Sequence, residues 1–198
     1  MVQVKKVNIR DDILEGAFEL FLAQGYSDTT LSEIARHANV SVSNIYNYFS
    51  SKLEIVSAIY EPWFEQQLEH LFGKVAVEKN SKEKLNILIN GFFKDIPEKD
   101  DGFANLWLEA ISTRRPDVPY SRDMLLTFEE KVSNTLMDIL PPEFTKRLMS
   151  QNLLTHLLFM AFDGFAINYH VAGKSKRAES IARMLTESIF KNTLSNKA

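Results

Sequence analysis

The stretch Thr29-Thr30-Leu31-Ser32-Glu33-Ile34-Ala35-Arg36-His37-Ala38-Asn39-Val40-Ser41-Val42-Ser43-Asn44-Ile45-Tyr46-Asn47-Tyr48-Phe49-Ser50-Ser51-Lys52-Leu53-Glu54 holds three helix starts in quick succession. Thr30 to Glu33 has capping-box form, a hydroxyl followed three residues on by a carboxylate that returns the bond. Ser41 precedes a short segment, Val42–Tyr48, as a cap. Ser51 to Glu54 is a second capping box, opening a longer helix. Two helices of about eight residues joined by Ala38-Asn39-Val40-Ser41 read as a helix-turn-helix.

Upstream, a helix is expected from about Asn8 to Gln24. Ile13, Leu14, Ala17, Phe18, Leu20 and Phe21 form its apolar stripe. Asn8 is its expected cap, Asp11, Asp12 and Glu15 suit the positive end of the helix dipole, and Gly25 is its stop. Phe18, Phe21, Leu22, Leu31, Ile34, Ala35, Val40, Ile45 and Phe49 can supply one small core. With only Ile45 and Phe49 turned inward, the third helix keeps Val42, Ser43, Asn44, Tyr46, Asn47 and Tyr48 free. Asn reads adenine edges, Ser bonds to several bases and a Tyr hydroxyl can hold a phosphate oxygen. The helix N-termini add free N–H donors for phosphate.

Thr29–Ala35, Ala38–Ser41, Asn44–Phe49 and Ser51-Lys52, with Phe18 to Tyr26 ahead of them, resemble the TetR (tetracycline-repressor-like) regulators. The likeness covers about Arg10 to Glu54, roughly a quarter of the chain. It implies an N-terminal three-helix DNA-binding domain and a larger helical domain that binds a ligand and dimerises. It implies that Val42, Ser43 and Asn47 face base edges, and that Thr30, Ser41, Tyr46, Tyr48 and Lys52 touch the phosphate backbone. The chain departs from the family pattern in three places. Asn39 stands where Gly is usual, and Asn also tolerates a left-handed turn. Ser43 stands where Gly is common. Val42 replaces a frequent Lys or Arg, which removes a cationic contact but can meet a thymine methyl.

Local charge gives DNA binding little help. Residues 1–54 hold five Lys/Arg (Lys5, Lys6, Arg10, Arg36, Lys52) against seven acids, a net of −2. Non-specific affinity scales with neutralised phosphates and is expected to be weak. Lys5, Lys6 and Arg10 read as a solvated terminus or as an arm entering the minor groove.

The 198 residues suffice for one or two small domains. Hydrophobic residues make up 45% and charged ones 25%, the balance of an ordered globular chain. With no cysteine, disulfide scaffolds, thiolate zinc sites and cysteine nucleophiles drop out. No apolar run has membrane-spanning length and the N-terminus lacks a signal core, so a cytoplasmic location is expected. Beyond Ser51, breakers divide the chain into expected helices near 51–76, 81–95, 102–114, 120–140, 143–172 and 176–194. The expected fold is all-α, with nine helices in two domains: residues 1–54, with the helix-turn-helix at about 30–49, and residues 55–198.

The second domain carries most of the aromatic residues. Trp63, Phe64, Gln67, Phe92, Phe93, Phe103, Trp107, Ile111, Phe128 and Phe159 are the candidates to line an effector pocket, with plain core as the competing reading. Pro62 should bend the fourth helix. The eighth helix is almost wholly apolar and should be buried on most sides. Leu154, Leu158, Ala161, Phe162 and Phe165, with Leu185 and Ile189 of the ninth, are the expected dimer surface. His156, Asp163 and His170 share a stripe, but seven helical residues span roughly 10.5 Å, too far for neighbouring groups to share one metal ion. No catalytic motif is present, and neither metal nor cofactor is expected. These features point to a one-component transcriptional regulator, most simply a repressor. It would bind a palindromic operator as a homodimer and be released by a small apolar or aromatic effector. The alternative is a helical ligand-binding or interaction protein that has lost DNA binding, which the acidic module and Val42 favour.

Overall fold

The computed structural model describes residues 8–118, 120–142, 145 and 152–195, with side chains as far as Lys191. Lys5, Lys6 and the start of the expected helix at 143–172 lie outside the described residues. Among those described there are nine α-helices: α1 (Ile9–Asp28), α2 (Leu31–His37), α3 (Val42–Tyr48), α4 (Lys52–Val77), α5 (Ser81–Asn90), α6 (Phe103–Ser112), α7 (Asp123–Ile139), α8 (Leu153–Ala172) and α9 (Ala178–Ser195). None is long and apolar enough to cross a membrane.

Two compact units divide the chain elsewhere than the expected 54/55 boundary. One runs to Trp63 and takes in Gly102–Tyr120; the other holds Phe64–Asp101 and the chain from Ser121 onward. The split within α4 falls one residue after Pro62, which lies inside that helix without interrupting it.

In the first unit, local signals set the helix ends. Asn8 sits at the cap position of α1, but its amide donates to Asp11 Oδ2 at 2.6 Å rather than accepting from the helix. Gly25 breaks α1 with φ +83° and ψ 166°, and a further turn carries the helix to Asp28. Thr30 and Glu33 form the full capping box of α2. Ser41 Oγ caps α3, accepting from Asn44 N at 3.1 Å. Asn39 takes the left-handed conformation the turn requires, φ +54°. At the start of α4, Ser51 Oγ accepts from Glu54 N, whereas the Glu54 carboxylate reaches back one residue further than expected, to Ser50 N and Oγ.

Ile13, Ala17, Phe21, Ile34, Ala35, Ile45 and Phe49 are buried in the core of this unit. Leu22, expected among them, is 52% exposed. Sequence reading also left out α6, which supplies much of the apolar cover for α1. Phe18 stacks on Phe103 at 4.6 Å, Phe103 stacks on Trp63 at 5.0 Å, and Trp107 stacks on Tyr60 at 5.1 Å.

The second unit is built on phenylalanine. Phe64 meets Phe128 at 5.0 Å and Phe162 at 5.3 Å, and Phe92 meets Phe159 at 5.5 Å. The helix expected over 81–95 is α-helical only to Asn90 and then widens into a π-turn, Gly91–Asp95. A Cβ at Gly91 would lie 2.4 Å from both methyls of Leu71 on α4, so a side chain there would have to displace that leucine. The turn places Phe92 and Phe93 inward, and Phe93 stacks on Phe165 at 4.8 Å.

Helix α8 is buried on one side only. Leu154, Leu158 and Phe162, expected at a dimer surface, are at most 6% exposed in the chain's own core. Ala161, Phe165, Leu185 and Ile189 are half-buried. The outward stripe is instead Leu153, Leu157, Met160, Ile167 and Val171, each between 48% and 78% exposed, with Gly164 exposed between them. Because both sides of this helix are apolar, periodicity could not say which one packs inward.

Candidate nucleic-acid interface

On α3 the face expected to be free is exposed at Ser43, Tyr46, Asn47 and Tyr48, whereas Asn44 is half-buried. Ile45 is fully buried and Phe49 nearly so, which anchors the helix to α1 and α2. Ser43 and Asn47 are exposed and Val42 is half-buried. Tyr46 and Tyr48 are 56% and 44% exposed. Ser41 Oγ and Ser43 Oγ lie 2.8 Å apart, so the caps and the exposed face of α3 form one hydroxyl-lined ridge. Thr30 is exposed too, its hydroxyl donating to Glu33 Oε2 at 2.8 Å. Arg10, a candidate arm residue, lies over the Phe49 ring at 5.5 Å.

Lys52, expected at a phosphate, is engaged with the protein's own backbone. Its ammonium points into the carbonyl groups of the α1–α2 turn, 2.6 Å from Tyr26 O and 2.7 Å from Thr29 O, with Ser27 O at 3.5 Å. It also lies 4.1 Å from the centre of the Tyr26 ring. An ammonium has three N–H donors, and these carbonyls account for all of them. Burial pulls the ammonium below the usual lysine range, against the opposing pull of Glu109, Asp28 and Glu33.

The same turn is held from α6. Glu109 Oε2 accepts from Tyr26 N at 3.0 Å, and Oε1 accepts from Ser27 N at 2.9 Å. Burial works to raise the Glu109 carboxyl, but the Ser27 and Tyr26 N–H donors outweigh it and hold the group below the ordinary carboxylate range. Nothing local in the sequence marks Glu109 as a partner of residues 82 and 83 positions away.

The pocket candidates are distributed over both units. Trp63, Phe103, Trp107 and Ile111 belong to the first unit; Phe64, Gln67, Phe92, Phe93, Phe128 and Phe159 belong to the second. In the second unit Phe64, Phe92, Phe93, Phe128 and Phe159 are buried core rings, and Gln67 lines a narrow crevice with His70, Lys74 and Asp95. A larger concavity, of about 580 Å³, lies among other residues, between α8 and α9, with Phe165, Asn168, Lys176 and Ile181 in its wall.

Short capped helices, a left-handed turn at Asn39 and an exposed polar third helix define a helix-turn-helix protein. Residues 13–59 match the family model of bacterial regulatory proteins, tetR family. Among curated relatives, the transcriptional regulator SrpR of Pseudomonas putida is 46% identical over 50 residues, 25% of this chain and 24% of SrpR. The fatty acid metabolism regulator protein of Bacillus subtilis is 30% identical over 81 residues, 41% of this chain and 42% of that protein. The matched stretch thus spans less than half the length of either relative. The fold extends much further than the identity. The structure of the B. subtilis transcriptional regulator FadR in complex with stearoyl-CoA superposes with a TM-score of 0.61, covering 90% of this chain and 96% of that one at 20% identity.

Proposed function

We propose that the protein is a ligand-responsive transcriptional repressor that binds a palindromic operator as a homodimer. The observation that carries this reading is α3, anchored by Ile45 while Ser43, Tyr46, Asn47 and Tyr48 stay exposed. Val42, Ser43 and Asn47 read base edges; Thr30, Ser41, Tyr46 and Tyr48 meet phosphates. The two copies join through the outward stripe of α8, Leu157, Met160, Ile167 and Val171, about the exposed Gly164. An exposed apolar stripe of this length is a liability on a monomer and is well suited to a self-complementary contact.

The effector is a small molecule with a substantial apolar part, received among the phenylalanines of the second unit. Stearoyl-CoA, which the Bacillus FadR structure contains, is the first ligand to try. It releases DNA by binding the non-DNA conformation more tightly than the other.

A genomic-fragment selection with the purified protein at low and moderate salt, followed by footprinting, tests the reading. A protected palindrome that is lost in Asn47→Ala supports it. No enriched fragment, even after refolding without ligand, favours the helical ligand-binding or interaction protein that the acidic N-terminal module also fits.

A further inference from the structure

We infer that Glu109, a residue of α6 outside the helix-turn-helix, is a positioning residue for DNA reading: with Lys52 it fixes the turn that sets α2 and α3. The inference rests on α3 being the DNA-reading helix, as proposed above.

The turn runs from Gly25 to Thr29, and its backbone polar groups are gripped by two side chains of opposite charge. Its N–H groups at Tyr26 and Ser27 donate to the two Glu109 oxygens. Its C=O groups at Tyr26 and Thr29 accept from the Lys52 ammonium. Thr29, 1% exposed, closes the turn on itself, with Oγ1 donating to Gly25 O at 2.7 Å and N to Tyr26 O at 3.3 Å. Gly25 suits the turn because its φ of +83° disfavours a side chain.

The next residue, Thr30, is the cap of α2. Whatever fixes residues 25–29 therefore fixes where the helix-turn-helix begins. Helices α2 and α3 are seven residues each and cannot hold their own position by length. Charged groups bonded to oriented backbone dipoles give short, directional contacts, so the grip sets an angle as well as a distance. Glu109 itself is held by the stacking of α6 on α1 through Phe103 and Phe18.

The role separates cleanly from electrostatics. Glu109 is an anion in a DNA-binding unit, and removing an anion by itself tightens contact with phosphate. A positioning residue acts the other way.

The test uses the full chain, a genomic fragment selected by the wild type, and the variants Glu109→Gln and Glu109→Asp. Glu109→Gln should bind that fragment at least about tenfold more weakly despite the loss of a negative charge, with an unchanged salt slope because no phosphate contact is lost. In the free protein, amide exchange at Tyr26 and Ser27 should quicken by about tenfold or more while Ile45 stays protected. Glu109→Asp keeps the charge but loses a methylene of reach. It should show the same two effects in smaller measure, and it carries the comparison if the Gln variant melts early. Equal or tighter binding by Glu109→Gln, or unchanged exchange at Tyr26 and Ser27, overturns the inference. A wild-type chain that selects no fragment removes the DNA reading itself, and the role of Glu109 falls with it.

Discussion

Phe18 of α1 and Phe103 of α6 lie face to face, 4.6 Å between ring centres and 26° between planes. Phe103 stacks at the same time on Trp63, with planes 1° apart. Two residues separated by 85 positions thus share one three-ring stack with the end of the unit's long helix. The N-terminal unit is therefore a four-helix affair completed by α6, with the first part of α4 running through it.

Phe103→Ala should accordingly destabilise the N-terminal unit, although the residue lies outside residues 1–54. The ring is half-buried, so a loss of about 2 kcal/mol is expected, below the range for fully buried Phe. Urea unfolding followed by tryptophan fluorescence would read it, since Trp63 loses a stacking partner.

Lys52→Met separates a phosphate contact from a structural cage. A lost phosphate contact lowers the salt slope of DNA binding by about 1. Loss of the carbonyl cage should weaken binding with the slope unchanged, and residues 26–29 should exchange faster. A reduced slope would return Lys52 to the phosphate role.

Asn47→Ala should cost about 1–3 kcal/mol on the selected fragment and relax preference at one base pair of each half-site. Binding to random DNA should hardly change. A uniform loss across all sequences would place Asn47 on the backbone instead.

Asp163 is half-buried on α8, and burial raises its carboxyl to about 6. The folded chain then holds a proton that the unfolded chain releases between roughly pH 4 and 6. The favourable contribution of that proton is complete at pH 4 and is lost as pH rises through 6. Asp163→Asn lacks this loss. Relative to wild type, it should gain about 1–2 kcal/mol on going from pH 4 to pH 7, after allowance for solvent screening. Denaturation midpoints at the two pH values measure it; a gap that does not grow counts against the burial.

Met160→Arg and Ile167→Arg should leave a monomer where the wild type forms the proposed dimer, with helix content intact, because both side chains are exposed, 53% and 49%. Leu158→Ala, at a fully buried position, should instead lower stability by about 2–4 kcal/mol without changing the association state of the folded fraction. Sedimentation at several concentrations distinguishes the two patterns.

What could be read in advance was what neighbouring residues decide among themselves. The Thr30–Glu33 box, the Ser41 cap, the break at Gly25 and the left-handed Asn39 are contests over a few backbone groups, settled within four residues. The exposed face of α3 followed because Ile45 and Phe49 alone could pay into a small core. Lys52 could not be placed, because its partners are carbonyls that every residue owns. Glu109 could not be placed, because its partners lie more than eighty residues away. The inner face of α8 was undecidable with leucines on both sides; the phenylalanines of α4, α7 and the π-turn choose it. The pocket residues split between the two units because aromatic content says that rings are buried, not with which others.

The close approach at Gly91 has a consequence for how this sequence can drift. A methyl at 91 has no room while Leu71 is in place, since both Leu71 methyls would lie 2.4 Å from it. A smaller residue at 71 leaves a void beneath the π-turn unless 91 grows. Each change is unfavourable alone and tolerable in company, so the two positions form a ratchet. Lineages that have exchanged the pair cannot easily return one residue at a time, and a library randomised at 71 alone will keep large apolar residues for as long as 91 remains glycine.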